Sequence, residues 1–249
     1  MEWNGRKILI LFFCFSLHAE IIQTNSLEDV LRAVDETAWV VFDIDNTLLE
    51  SAVQAGRAEW FDHEVKQLML TKGIDRHTAD LCLFPAWVSF MEICPMQTPE
   101  PKTAGWVKEI QEKSSASLAL TARHPPLAKL TLRQLGQFGI DFSHHAPPEV
   151  SLDTEHPSHT EEGIVFASIK NSKAALFRQF IEKSDKKPGK ILFIDDALHH
   201  LEQMEMELQK LGIAFTGFHY TKSFERPFDF ELASIEYHAI TTQHLRESL

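Results

Sequence analysis

The stretch Trp39-Val40-Val41-Phe42-Asp43-Ile44-Asp45-Asn46-Thr47 decides how the rest of the chain is read. Four consecutive apolar β-formers describe a strand buried on both faces, as in a parallel sheet covered by helices on each side. The run ends abruptly in Asp43, and a second carboxylate follows at Asp45. At that spacing two carboxylates leave a strand end on the same side if the backbone stays extended. One can then act as nucleophile and the other as acid or base, provided their environments differ. An Asx-turn with a helix cap after a strand would also satisfy Asp-Asn-Thr. The segment gains weight from its company elsewhere in the chain.

Three further apolar runs end in polar clusters. Ser117-Leu118-Ala119-Leu120 leads into Thr121-Ala122-Arg123, Ile164-Val165-Phe166-Ala167 precedes Lys170 and Lys173, and Ile191-Leu192-Phe193-Ile194 ends in Asp195-Asp196. Helical patterns separate them. Ser26 to Val34 has Ser26 as its N-cap, Leu127 to Phe138 is stopped by Gly139, Lys173 to Ile181 is capped by Ser172, and a helix from about Ala197 to Leu211 is stopped by Gly212. Ala214 to Tyr220 reads as a last strand, and Ile140 to Phe142 as the start of a brief one. Strands alternating with helices specify a three-layer, doubly wound α/β fold with a parallel sheet. Ligands bind such sheets at the carboxyl ends of the strands, so four clusters distant in sequence are expected at one rim.

Each cluster has a chemistry. The Thr121 hydroxyl and the backbone around Ala122 can hold a phosphate oxygen, although a helix cap before Pro125 would explain the same residues. An ammonium at Lys173, or at Lys170 just before it, can neutralise developing phosphoryl charge. Adjacent carboxylates at a buried strand end, Asp195 and Asp196, repel one another unless a cation joins them. Carboxylate oxygens without thiols or paired histidines suit Mg²⁺. The loop 143–160 holds His144, His145, His156 and His159, but their irregular spacing favours a solvated loop over a metal site. No Cys-x-x-Cys occurs, and a zinc hydrolase lacks spaced ligands.

Taken together and in this order, the four clusters resemble the motifs of the haloacid dehalogenase superfamily, over roughly residues 35–49 and 115–222. Within it, Phe42 to Glu50, Leu120 to His124 and Phe193 to Tyr220 look similar to a bacterial group known only as a domain of unknown function. The resemblance implies a Rossmann-type core with a small helical cap inserted after the first strand, and a phosphohydrolase acting on a small phosphomonoester. It further implies that Asp43 attacks phosphorus to form an aspartyl-phosphate, and that Asp45 protonates the leaving oxygen and later activates water. Thr121 and Ala122 would bind phosphoryl oxygens, with Lys173 favoured over Lys170 as the charge-stabilising lysine. Mg²⁺ would be held by Asp43, the backbone carbonyl of Asp45, Asp195 and Asp196. A non-catalytic binding protein on the same fold, or a phosphotransferase using the same site, remain alternatives.

On this reading residues 1–19 form a signal peptide, 20–49 and 111–249 the core domain, and 50–110 the cap. In the inserted segment the spacing predicts a helix from Ala58 to Leu70, a second from His77 to a break at Phe84-Pro85, and a third from Ala86 to Ile93. Cys94 to Lys102, with three prolines, reads as a linker, and Trp106 to Gln111 as helical again. Gly56, Arg57, Glu59 and Trp60 are candidates to face the catalytic loop, although Trp60 and Phe61 also fit a cap core. At the N-terminus, Arg6 and Lys7 precede an apolar run from Ile8 to Leu17, with Ala19 as the cleavage residue. That run is short for a membrane span, so export to the periplasm or beyond is expected, with no stable anchor after cleavage. A formal net charge of −12 argues against nucleic acid as a partner. In an oxidising compartment Cys82 and Cys94 can either pair or stay as buried thiols.

Overall fold

The computed structural model describes residues 19–247. The strands are β1 Ala19–Thr24, β2 Ala38–Phe42, β3 Glu50–Ser51, β4 Met96–Gln97, β5 Ala116–Thr121, β6 His159–Glu161, β7 Ile164–Phe166, β8 Lys190–Asp195 and β9 Ala214–Tyr220. The helices are α1 Leu27–Ala33, α2 Ala58–Lys72, α3 Arg76–Ile93, α4 Thr103–Lys113, α5 Ala128–Gly136, α6 Lys173–Lys183, α7 Leu198–Leu211 and α8 Phe230–Glu247. Seven strands form one sheet in the order β1-β9-β8-β2-β5-β7-β6. All but β6 run parallel.

Strand periodicity explains the layers, because successive side chains point to opposite faces. Val40 and Phe42 of β2 join Leu192 and Ile194 of β8 on one face, under α1, α4 and α5. Trp39 and Val41 join Ile191 and Phe193 on the other, under α6 and α7. Every residue of β2 is buried, as its unbroken apolar run requires. The result is a three-layer α/β fold with β2 in the middle of the sheet. The helix signals hold as well. Ser26 and Ser172 accept backbone N–H groups at the starts of α1 and α6, and Gly212 closes α7 in the left-handed conformation.

Several expectations need correction. Pro85 does not break the second helix of the insertion; α3 runs through it from Arg76 to Ile93. A proline removes one N–H donor, and the flanking turns, anchored by buried Ala79 and Phe90, carry the helix across. The linker Cys94 to Lys102 contains β4, which pairs antiparallel with β3. The segment Ile140 to Phe142 is not a strand, although Ile140 and Phe142 are buried. The sheet is not wholly parallel, because β6 folds back on β7. Glu162 and Gly163 between them both have positive φ, 48° and 77°, the geometry of a two-residue hairpin turn. Residues 1–18, most of the expected signal peptide, lie outside the described residues; Ala19 opens β1, an edge strand beside β9.

The inserted helices have their own small core. Ala55, Phe90 and Cys94 are buried there, with Met91, Tyr237 and Ile240 packed against them. Tyr237 comes from α8, so the C-terminal helix leaves the sheet and packs on the insertion. Trp60 lies 5.2 Å from Phe230 and Phe90 lies 5.0 Å from Tyr237, centroid to centroid. Cys94 is buried and Cys82 exposed, and both are free thiols.

Candidate active site

β2 delivers Asp43 to the rim of the sheet, where its N–H donates to the Ile194 carbonyl at 2.8 Å. The chain then turns tightly. Asn46 adopts φ 61°, a left-handed conformation that Asn tolerates better than most residues, and its N–H donates to the Leu49 carbonyl at 2.7 Å. The Asn46 side chain donates to Asp196 at 3.0 Å, and the Asn46 backbone carbonyl accepts from the Ser223 hydroxyl at 2.7 Å. The loop is thus tied to β8 and to the chain after β9.

Lys173 is the first residue of α6, and its ammonium lies between two strand-end carboxylates. Nζ donates to Asp43 Oδ1 at 2.5 Å and to Asp195 Oδ2 at 2.9 Å. All three side chains are buried, whereas Lys170 is exposed. The Thr47 hydroxyl donates to Asp43 at 3.4 Å. Asp195 also accepts the Ala197 N–H at 2.9 Å and contacts His200 Nδ1 at 3.1 Å. Asp43, Asp195 and Asp196 each offer a carboxylate oxygen, and these lie within 4.8 Å of one another.

The electrostatics of this cluster follow from burial and crowding. Burial lifts the Asp43 carboxyl well above the usual carboxylate range, with Asp195 and Asp196 adding to the lift and Lys173 opposing it. Asp196 is pushed up to about 6 by burial and by Asp195 beside it. For Asp195 burial is outweighed by Lys173 and His200, which hold it below the usual value. The Lys173 ammonium is stabilised above its ordinary value, because the two carboxylates overcome its burial.

Asp45 faces a different partner. Its carboxylate receives the guanidinium of Arg123, with Nε at 3.2 and 3.0 Å and Nη2 at 2.7 Å. Arg123 Nη1 donates to Thr131 and Gln134 of α5 at 3.0 and 2.8 Å. The Asp45 side chain is 48% exposed and that of Arg123 only 9%. Burial works against the guanidinium charge, but Asp45 more than restores it. Thr121 is buried at the end of β5, and its hydroxyl accepts the Arg123 N–H at 3.1 Å. Ala122 lines a cavity of about 330 Å³ beside Asp45.

The rim therefore gathers Asp43, Lys173, Asp195 and Asp196 in one cluster, with the Asp45 carboxylate turned from it toward Arg123 and the cavity. Sequence reasoning quoted Arg123 but gave it no role, and it did not single out His200 or Ser223. The carboxylate at Asp45 was the one available hint of a cationic partner. Of the residues expected to face the loop, Gly56 lines the same cavity, and Arg57 and Glu59 line a second cavity of about 280 Å³ that Asp196 also lines. Trp60 instead packs with Phe230 and Tyr237.

No solved structure matches the chain. The curated proteins it is similar to include two named "Putative outer membrane protein". One, from Chlamydia trachomatis serovar D, is 25% identical over 93% of this chain and 91% of its own length. The other, from Chlamydia pneumoniae, is 24% identical over 91% of this chain and 88% of its own length. No helix among the described residues is long and apolar enough to cross a membrane. A family model described as "Protein of unknown function (DUF2608)" matches residues 23–248, and the chain belongs to that family.

Proposed function

We propose that the chain is an exported, Mg²⁺-dependent phosphohydrolase of the haloacid dehalogenase type, with residues 50–110 as its cap. The observation that carries this reading is the buried ammonium of Lys173 bridging Asp43 and Asp195, with Asp196 alongside. Lys173 neutralises one charge among three crowded carboxylates, so a divalent cation fits the remaining excess. The donor set of hard oxygens suits Mg²⁺, which Asp43, Asp195, Asp196 and the Asp45 backbone carbonyl would hold. When bound, Mg²⁺ would supply positive charge beside the phosphoryl oxygens and oppose the burial that lifts the Asp43 carboxyl.

The chain's own groups perform the remaining chemistry. An Asp43 oxygen attacks phosphorus in line as the bond from phosphorus to the leaving oxygen breaks. Asp45 gives that oxygen its proton, and the alcohol departs. Water then attacks the aspartyl-phosphate, Asp45 takes its proton, and inorganic phosphate leaves with Asp43 regenerated. Lys173, Thr121 and the Ala122 backbone stabilise charge on the phosphoryl oxygens. Export rests on the N-terminal pattern, and the outer-membrane names of the relatives agree with an envelope or secreted location.

One observation favours a second reading. Arg123 engages both Asp45 oxygens, with Nε at 3.2 and 3.0 Å and Nη2 at 2.7 Å, and turns the carboxylate away from Asp43. A protein that binds phosphoryl groups without turning them over would show the same contact. The test is hydrolysis of a generic aryl phosphate with Mg²⁺ by the native protein and by Asp43→Asn. The expected result is turnover that EDTA abolishes and that falls by at least a thousand-fold in the variant. Equal rates in both would refute the nucleophile, and undiminished turnover in EDTA would refute the metal.

A further inference from the structure

The cavity of about 330 Å³ beside Asp45 has walls unlike the rest of the rim. Phe84, Trp87, Val88 and Met91 of α3 line it together with Leu127 and Leu130. The polar side chains in its wall already have protein partners, the charged Asp45 and Arg123 being paired with each other. Glu50 accepts from Gln97 and from Arg226, and Gln134 accepts from Arg123 and donates to the Met91 carbonyl. The Ser51 hydroxyl donates to the Val53 carbonyl, Asn46 donates to Asp196, and His124 pairs with Ser168 through Nδ1. His124 also meets Phe84 edge-on, with centroids 5.0 Å apart.

We infer that this cavity receives the leaving group and that the leaving group is apolar, so that the substrates are hydrophobic phosphomonoesters rather than sugar phosphates or nucleotides. The inference rests on the proposed phosphohydrolase reading in one respect: Asp45, the group that protonates the leaving oxygen, lines the cavity. Its chemistry is independent of that reading. A hydroxyl-rich group entering here gives up water and meets donors and acceptors that are already engaged, which is unfavourable. An apolar group gives up little and gains contact with Trp87, Phe84 and the aliphatic wall. Size agrees as well. A cavity of roughly 150 Å³ is enough to take benzene, so the volume here holds one or two rings or a short alkyl chain.

The test compares benzyl phosphate with glycerol 3-phosphate and glucose 6-phosphate on the Mg²⁺-loaded full chain. Each releases a primary alcohol, so differences in intrinsic leaving ability are small. The expected result is a kcat/KM at least ten-fold higher for benzyl phosphate, with Trp87→Ala narrowing that ratio at least three-fold. A ratio of one or less, with all three compounds hydrolysed, overturns the inference and leaves the phosphohydrolase standing. Calorimetric binding of benzylphosphonate against glycerol 3-phosphate separates the two ideas from the other side. If nothing is hydrolysed, the phosphohydrolase reading falls; tighter binding of benzylphosphonate still supports the apolar site, and equal or weaker binding overturns it.

Discussion

Lys173→Met replaces the ammonium that neutralises Asp43 and Asp195 by an apolar chain of similar reach. Nζ sits 2.5 and 2.9 Å from the two carboxylates, and all three side chains are at most 5% exposed. Removing one partner of a buried ion pair leaves an uncompensated charge and costs about 3–5 kcal/mol. Domains are commonly stable by about 5–15 kcal/mol, so the variant stays folded with a clearly lower urea midpoint. The loss depends on pH. In the native protein Asp195 is held below its ordinary value, so its contribution is present at neutral pH and lost only in acid, as pH falls through that low value. Asp43 is already lifted in the native protein; in the variant burial lifts Asp195 as well and Asp43 further, unopposed by the ammonium. The folded form then keeps protons that the unfolded chain releases, and its stability falls as pH rises above the ordinary carboxylate range. The difference between the two proteins therefore grows from pH 5 to pH 8 when measured in EDTA. Mg²⁺ at a hundred-fold excess over its Kd restores about 2.7 kcal/mol. Urea unfolding followed by circular dichroism at several pH values checks this. A difference below about 1 kcal/mol at pH 7 would refute the buried bridge as a structural necessity, as would a difference that is constant from pH 5 to pH 8.

Two glycines give opposite expectations. A Cβ at Gly56 would run into the Ser51 side chain and Cys94 Sγ, so Gly56→Ala is destabilising by about 1–3 kcal/mol. Gly105 lies in α4 with nothing near its Cβ direction, so Gly105→Ala is stabilising by up to about 1 kcal/mol; thermal unfolding of both variants checks the contrast. The two thiols differ too. Burial pushes Cys94 up to about 11 while Cys82 is exposed, so iodoacetamide at pH 8 labels Cys82 first and Cys94 only after unfolding, as peptide mass mapping reports. Because the folded Cys94 value is raised, its contribution is present below about 9 and is lost as pH rises toward 11, which alkaline unfolding curves measure.

The parts of this protein that were legible in its sequence are those set by local pattern. Apolar runs mark β2 and the middles of β5 and β8, because a strand buried on both faces offers few polar positions. Ser172 and Gly212 mark helix ends because capping is a matter of a few adjacent residues. What was misread depends on partners distant in the chain. Pro85 reads as a break, yet packing carries α3 across it. β4 is too short to show a period and exists because β3 lies opposite. The edge strand β1 is defined by β9, almost two hundred residues later in the chain.

The same division runs through the site. Four strand ends, with Asp43, Thr121, Lys173 and Asp195-Asp196 after them, follow from sequence, because a parallel sheet must bring its carboxyl ends to one rim. Only the tertiary structure decided that Asp45 meets Arg123 rather than the carboxylate cluster, that His200 touches Asp195, and that α8 packs with α2 and α3. Those choices turn on side-chain geometry: Asp45 and Arg123 meet at 2.7 Å although they are 78 residues apart, and the rings of α8 lie 5.2 and 5.0 Å from those of α2 and α3. Periodicity specifies which face a residue is on, whereas such contacts depend on how separate elements pack against one another.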